Sequence, residues 1–429
     1  MRQATRILLG TTEICRNLYD LADGLRQLGY HADTVMGDPT PQHPDLRYEF
    51  TVYPRLPNAL ENTRNPVLKY SWGAIDRAYR LARLLYFLTA YDVYIFQSTS
   101  LLPGYRDYPI LKRLGKRIIC LFQGSDIRHW SASEPVRRAF GLQSYPAFRI
   151  RGRPLPWRLT TLRMAERYAD AIFAQPSYAE LAIRPYRHLY LAFNLSLYDC
   201  FIPARDVPVV VHAPNGREVK GTAEILSTLE RLRSDGVAFE LRLLEGVPNK
   251  EVIQQLVAAD VVVDELNEAS YGMLGLEAMA TGCAVAGGNH PGLVPLPPAR
   301  PVLPINPSNV YTQLRSLLTD KQRRVRLALE GRRFVEKYHS HLVVAQEMVR
   351  CVEPDVREHD YYPVFFTRDY IVPNDETITD SLKRITAEIV QRWGLPKDVN
   401  AQTMVARGLM SLEGLDPHTP IPRWNSGPS

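Results

Sequence analysis

Two stretches of the chain combine cations, carboxylates and glycines in a spacing suited to a phosphorylated ligand. The first, His212 to Leu226, reads HAPNGREVKGTAEIL and places Arg217 and Lys220 where a predicted strand gives way to a helix. A helix N-terminus with two cations could hold a diphosphate, and the neighbouring glycines permit close backbone approach. A solvated loop with ordinary charges is the alternative interpretation of this segment alone.

The second stretch, 260–288, reads DVVVDELNEASYGMLGLEAMATGCAVAGG. A predicted strand ends at three acids, Asp264, Glu265 and Glu268, and a helix that follows a glycine turn carries Glu277 one turn in. Free amides at this helix start could take an anionic sugar diphosphate, and Glu277 could accept hydrogen bonds from ribose hydroxyls. The alternative role of Glu277 is to stabilise the helix dipole.

Other common catalytic signatures are absent from the sequence. There is no GxxxxGK[ST], GxGxxG, GxSxG or HExxH segment, so kinase, dehydrogenase, hydrolase and metalloprotease hypotheses lack support. The five cysteines include no CxxC pair, and His339 and His341 are spaced wrongly for one helix face. We therefore expect neither a metal nor another cofactor, and the cysteine usage favours a reducing cytoplasm.

The elements that must position these residues are alternating strands and helices. With 429 residues, 45% of them hydrophobic, the chain is long enough for several domains. The alternation predicts an α/β protein with two Rossmann-like doubly wound domains facing a cleft, over 1–203 and 204–352. Residues 353–429 are predicted to form an extension with one amphipathic helix, Ile378 to Trp393, and a disordered end.

Three of these segments resemble a known family. LEAMATGCAVAGGNHPG, KGT and GRRFVEKYHS are similar to the signature helix, phosphate-binding lysine segment and closing helix of the retaining two-domain (GT-B) glycosyltransferases, as in the group-1-like bacterial enzymes. The resemblance implies transfer of a sugar from a UDP-type or GDP-type nucleotide sugar to a glycan, a lipid-linked acceptor or a small molecule, with retention and without a metal. A nucleotide-sugar 2-epimerase on the same fold and a non-catalytic donor-binding subunit are the alternatives.

The resemblance also assigns roles to single residues. The implied donor site consists of a ribose-binding carboxylate, two cations, three helix amides and a base-binding turn: Glu277, Lys220, Arg217, Gly272, Met273, Leu274, and Leu244 to Val247. Two departures affect catalysis, because the family's first Glu falls at Ala269 and its acceptor-side His falls at Gln123, a carboxamide that cannot act as a base. The nearest carboxylates complete the candidate catalytic set, which is Gln123, Asp126, Asp264 and Glu268.

The charge is unevenly distributed along the chain. The net charge of +6 divides into +10 through Cys200 and −4 beyond it. Nine arginines lie between Arg128 and Arg167 among aromatic residues, and a second basic stretch runs from Trp72 to Tyr86. This pattern favours an anionic partner of the first domain, either a membrane surface or a phosphorylated acceptor, although a solvated helical face remains the alternative. No nucleic-acid motif accompanies the arginines, and the stretch from Ala78 to Phe96 is too polar to span a membrane.

Overall fold

The structure of the chain is a computed structural model. It describes residues 5–37, 46–52, 66–139, 141–142, 153–202, 204–290, 300–351, 359–363, 365 and 378–424.

The first sheet contains parallel strands whose apolar residues are buried on both faces, as in the run RIICLF. These strands are β1 (Arg6–Thr11), β2 (His31–Met36), β3 (Phe50–Thr51), β4 (Val93–Gln97), β5 (Arg117–Phe122), β6 (Ala171–Ala174) and β7 (Arg187–His188). Their order is β3-β2-β1-β4-β5-β6-β7, so the direction of winding reverses between β1 and β4.

Helices cover both faces of this sheet. They are α1 (Asn17–Gln27), α2 (Pro66–Thr89), α3 (Asp107–Arg113), α4 (Trp130–Ala139) and α5 (Leu155–Tyr168). In α1 the leucines at helical spacing, Leu18, Leu21 and Leu25, are fully buried against the sheet. The helix stops before Gly29, whose φ of 88° suits a residue without a side chain.

The second sheet is also parallel. Its strands are β8 (Val209–His212), β9 (Glu240–Leu243), β10 (Val261–Val263), β11 (Ala284–Gly287) and β12 (Val302–Pro304), in the order β12-β11-β10-β8-β9. Its helices are α6 (Arg217–Lys220), α7 (Thr222–Ser234), α8 (Asn249–Val257), α9 (Met273–Thr281), α10 (Val310–Thr319), α11 (Lys321–Tyr338) and α12 (His341–Arg350). The winding reverses here between β8 and β10.

The last helix of the second set returns to the first domain. Helix α12 packs along α1 so closely that a Cβ on Gly24 would lie 2.4 Å from the carbonyl oxygen of His341. The backbone of Phe193 hydrogen-bonds with His339 and His341 at the start of this crossing. The two domains therefore share a packed hinge as well as a cleft.

The C-terminal residues pack on the first domain. Helix α13 (Asp380–Trp393) lies on α5, and the short helix α14 (Ala401–Ala406) follows it. Trp424, in the segment predicted to be disordered, is 7% exposed and donates a hydrogen bond from its indole to the carbonyl oxygen of Trp393.

The predicted α/β class with two Rossmann-like domains facing a cleft is confirmed. The long helix α2 extends well beyond the basic stretch recognised in the sequence, and the short edge strands β3, β7 and β12 were not predicted. Edge strands of two or three residues carry too little periodicity to be recognised from sequence.

Candidate functional site

The residues with candidate roles lie where each sheet reverses its winding. In the second sheet, Lys220 and Asp264 follow β8 and β10, which are neighbours on either side of the reversal. In the first sheet, Glu13 and Thr99 follow β1 and β4 in the same way. Loops diverge at such points and leave a crevice at the carboxyl ends of the strands, which is where open α/β sheets bind ligands.

Lys220 is the buried cation of the second crevice. Its Nζ donates to Oδ1 of Asp264 at 2.7 Å and to Oε2 of Glu265 at 2.9 Å. Burial by itself would lower the pKa of Lys220, but the two carboxylates outweigh it and raise the pKa above its usual value. The lysine predicted to bind a diphosphate is therefore already neutralised by protein carboxylates.

Asp264 also occupies part of the helix start that was predicted to bind phosphate. Its Oδ2 accepts from the amides of Gly272 at 3.3 Å and Gly275 at 3.2 Å. Within the described part of the chain, the amides of Met273 and Leu274 have no hydrogen-bond partner. A side chain at Gly272 would place its Cβ 2.9 Å from a carboxylate oxygen of Glu265, so the Glu265 carboxylate would have to shift. Two of the three predicted amides remain open to a ligand.

Glu277 lies on α9 and faces the first domain. Its Oε1 accepts from the side-chain amide of Asn249 at 3.0 Å, and burial raises the pKa of Glu277 to about 7. Across the cleft, the Glu277 charge adds to burial in raising the pKa of Cys15 and of Tyr198. The predicted ribose-binding carboxylate is thus inside the cleft and within electrostatic reach of both domains.

The predicted base-binding turn lies at the exposed edge of this crevice. Arg217 forms a two-point ion pair with Glu245, with nitrogen to oxygen distances of 2.7 and 2.6 Å. Leu244 continues the strand pairing through its amide, and Val247 is 36% exposed beside it. Because the Arg217 side chain is 59% exposed, it can exchange Glu245 for a ligand at little cost.

Glu268, a candidate catalytic residue, connects the two domains. Both of its oxygens lie 3.0 Å from Nη1 of Arg128, and Oε1 also accepts from Arg137 at 3.1 Å. Burial acts to raise the pKa of Glu268, yet the two guanidinium groups bring it below its usual value. An ionised carboxylate held by two arginines is suited to fixing domain orientation.

Gln123 and Asp126 support the loop after β5. The side-chain amide of Gln123 donates to the side-chain oxygen of Gln97 at 2.7 Å, and the side-chain amide of Asn17 donates to the same oxygen at 3.0 Å. Asp126 accepts from the amides of Gln123, Gly124 and Ile127 at 3.1, 2.8 and 3.0 Å. These contacts give Asp126 a structural role in shaping the loop, in addition to its predicted catalytic one.

Glu13 is a site residue that the motifs did not reveal. It follows β1, lines a cavity of about 580 Å³ in the first domain, and has a pKa raised by burial to about 7. Its carboxylate accepts from the amides of Ile14, Leu18 and Tyr19 at 3.0 to 3.1 Å. The signal available in the sequence was its position directly after a strand that borders the reversal in winding.

Some features are absent from the described residues. Within the ranges given above, no group of three or more His, Cys, Asp or Glu side chains is placed to hold a metal ion. Among the helices that these ranges contain, none is long and apolar enough to cross a membrane.

Comparison with known proteins shows the fold. A sucrose-phosphate synthase from Thermosynechococcus elongatus matches with a TM-score of 0.51 at 15% identity, over 81% of this chain and 98% of that one. The catalytic domain of starch synthase IV from Arabidopsis thaliana, bound to ADP and acarbose, gives 0.46 at 11% identity, over 81% and 98%. WaaG, a glycosyltransferase involved in lipopolysaccharide biosynthesis, gives 0.44 at 11% identity, over 82% and 100%.

At these identities the likeness extends to the fold alone, and of the three structures the sucrose-phosphate synthase, with a TM-score of 0.51, supports it. No protein-family model matches the chain, and no curated protein matches it. The chain has two parallel-sheet domains in the GT-B arrangement, with glycosyltransferases among its structural neighbours.

Proposed function

We propose that the chain is a glycosyltransferase that moves a sugar from a UDP-type or GDP-type donor to an acceptor, with retention and without a metal. The observation that carries the proposal is the position of Lys220, Glu277 and the open amides of α9 at the reversal of the second sheet. In this arrangement Glu277 accepts hydrogen bonds from the donor ribose. The amides of Met273 and Leu274 bind phosphate oxygens.

Departure of the nucleotide requires stabilisation of the diphosphate charge. Lys220 supplies a fixed cation once the donor displaces Asp264 or Glu265, and Arg217 supplies a second one from the exposed edge. Such preorganised charge can contribute most of the rate enhancement in a group transfer. The chemistry therefore does not require Glu268, which is held by Arg128 and Arg137.

The test of this proposal is donor turnover and donor binding by the purified full chain. We expect release of UDP or GDP from one member of a panel of nucleotide sugars, and acceleration by an acceptor. Glu277→Ala should weaken donor binding by at least about tenfold, since a hydrogen bond to a charged group contributes that much. Glu251→Ala, at an exposed site on the neighbouring helix α8, is the matched control and should bind as the parent does. Equal donor affinity in Glu277→Ala would exclude this assignment.

One observation favours a second candidate, a non-catalytic donor-binding subunit. Asp264 already satisfies Lys220 and two amides of the α9 region, so groups that would stabilise a departing diphosphate are occupied by the protein itself. A protein of this kind would bind a nucleotide sugar without releasing its nucleotide. A 2-epimerase would instead isomerise the sugar without an acceptor, and product analysis separates the three outcomes.

We further propose that the first domain works at an anionic membrane surface in the cytoplasm. Four apolar residues of α2 lie on one face of the helix and are 53 to 75% exposed: Val67, Tyr70, Leu81 and Leu85. Arg77 lies beside them on the same helix. An exposed apolar face flanked by cations is suited to the headgroup region of a bilayer, and it places a glycan or lipid-linked acceptor near the cleft.

Vesicle flotation tests the surface proposal. The chain should float with phosphatidylcholine vesicles that contain phosphatidylglycerol, and the double variant Leu81→Ser/Leu85→Ser should float less. Val343→Ser removes an exposed apolar residue on α12 and serves as the control. Absence of flotation at low salt, or an equal loss in the control, would overturn the proposal.

A further inference from the structure

Among the described residues of the arginine-rich segment in the first domain, Arg158 is buried and forms no ion pair. Five of the nine arginines in this segment have a carboxylate partner, and two, Arg149 and Arg151, lie outside the described residues. The five pairs are Arg128 and Arg137 with Glu268, Arg138 with Glu134, Arg163 with Glu166, and Arg167 with Glu388. Arg153 and Arg158 remain.

Arg158 is only 6% exposed, and its Nε is enclosed without a hydrogen-bond partner. In the described part of the chain it has no ion pair. Burial lowers the pKa of Arg158, Asp126 opposes this, and the positive charges of Arg153 and Arg128 lower it further. A buried arginine that forms no ion pair or hydrogen bond is destabilising unless a ligand supplies a partner for it.

The surroundings of Arg158 connect it to the cavity of the first domain. Its guanidinium carbon lies 5.3 Å from the ring centre of Trp157, and that of Arg153 lies 5.1 Å from the same ring. Trp157, Thr160 and Thr161 line the 580 Å³ cavity that also contains Glu13. Both guanidinium groups thus lie against Trp157, an aromatic residue of the cavity wall, although the two arginines are not themselves lining residues.

We propose that Arg158 and Arg153 bind the phosphate group of a phosphorylated acceptor at this wall of the cavity. Guanidinium groups match phosphate oxygens with two parallel hydrogen bonds. The Thr160 hydroxyl donates to the carbonyl oxygen of Pro156 and can still accept a hydrogen bond from the uncharged part of the acceptor. This inference rests on the proposed transferase function, which it deepens by naming the acceptor class. It assigns Arg158 to acceptor binding and leaves donor binding to the second domain.

Calorimetry with sn-glycerol 3-phosphate as a soluble probe tests the proposal. The parent chain should bind it, Arg158→Met should lose at least about tenfold in affinity, and Arg158→Lys should lose less because it keeps the charge. Arg138→Met removes another arginine of the same segment, exposed and paired with Glu134, and should change nothing. Equal binding by Arg158→Met, or an equal loss in Arg138→Met, would overturn the proposal.

Thermal unfolding without any ligand gives a second readout. Removal of an uncompensated buried charge should raise the melting temperature of Arg158→Met, whereas loss of a structural arginine would lower it. Sedimentation with phosphatidylcholine vesicles, with and without phosphatidic acid, separates a lipid phosphate from a soluble one. Donor binding is measured on the same samples. A chain that binds the phosphate probe through Arg158 but binds no nucleotide sugar would contradict the proposed function alone.

Discussion

The two sides of the cleft differ in how their buried cations are compensated. On the second domain, Lys220 lies against the carboxylates of Asp264 and Glu265, so its charge is satisfied before any ligand arrives. On the first domain, Arg158 is as deeply buried but has no carboxylate partner among the described residues. A buried lysine is therefore neutralised within the second domain, whereas a buried arginine on α5 of the first domain forms no ion pair among the described residues.

This difference determines what a ligand must do on each side. An anion that approaches Lys220 competes with two protein carboxylates, so its binding energy is reduced by the cost of displacing them. An anion that approaches Arg158 supplies a charge that the protein lacks. The two proposed sites therefore differ, because a diphosphate at the second domain competes with protein carboxylates whereas a phosphate at Arg158 does not.

Removal of Lys220 should give the largest effect. Lys220→Met leaves two buried carboxylates without a cation, and we expect a loss of about 4 kcal/mol in the free energy of unfolding. Urea denaturation followed by circular dichroism measures it. Arg217→Met, which removes the exposed cation of the same crevice, should leave the unfolding midpoint unchanged.

The double variant Lys220→Met/Glu265→Gln provides the internal check on this interpretation. It removes one of the two uncompensated charges and should recover part of the lost stability. If the single variant were as stable as the parent, Lys220 would not be compensated as described, and the contrast with Arg158 would disappear.

Glu268 forms ion pairs between the two domains. Although it belongs to the second domain, it neutralises Arg128 and Arg137 of the first. Glu268→Gln should cost about 3 kcal/mol in the free energy of unfolding, because two buried cations lose their partner. Small-angle scattering should also show a larger radius of gyration as the cleft opens.

Glu388→Gln is the control for this change. It breaks a half-exposed ion pair between Glu388 on α13 and Arg167 on α5, away from Glu268. The free energy of unfolding should fall by less than about 1 kcal/mol. A Glu268 variant no less stable than this control, with unchanged scattering, would show that the bridge does not hold the domains together.

The sequence was sufficient for the fold class, because strand and helix periodicity predicted the alternation. The segments around Lys220 and Glu277, whose donor-binding roles stay predictions, follow strands β8 and β10 of the second sheet. The pairing of these residues could not be predicted, because Glu268 and Arg128 are 140 positions apart and nothing local connects them. Glu13 was missed because a single acid after a strand has no distinguishing spacing.

The smallest expected effect is the pH dependence of donor binding, which tests whether the Glu265 carboxylate competes with a ligand for Lys220. Burial, together with the charges of Asp264 and Glu268, raises the pKa of Glu265 to about 7 against the opposing effect of Lys220. Below that pH the carboxyl is neutral and releases Lys220 to the diphosphate, whereas above it the ionised form holds the lysine. Affinity for a nucleotide sugar, whose diphosphate does not titrate near neutrality, should therefore increase about tenfold between about pH 8 and pH 6.

Two variants separate this mechanism from other groups that titrate in the same range. Glu265→Gln should remove the pH dependence, because its neutral side chain cannot regain the charge that competes for Lys220. Glu13→Gln alters a carboxyl of the first domain whose pKa is also raised by burial to about 7, and it should leave the dependence intact. A dependence lost in Glu13→Gln and kept in Glu265→Gln would place the controlling charge on the first domain instead of the second. An affinity that rose with pH would instead make ionisation of Glu277, whose pKa burial also raises to about 7, the controlling step.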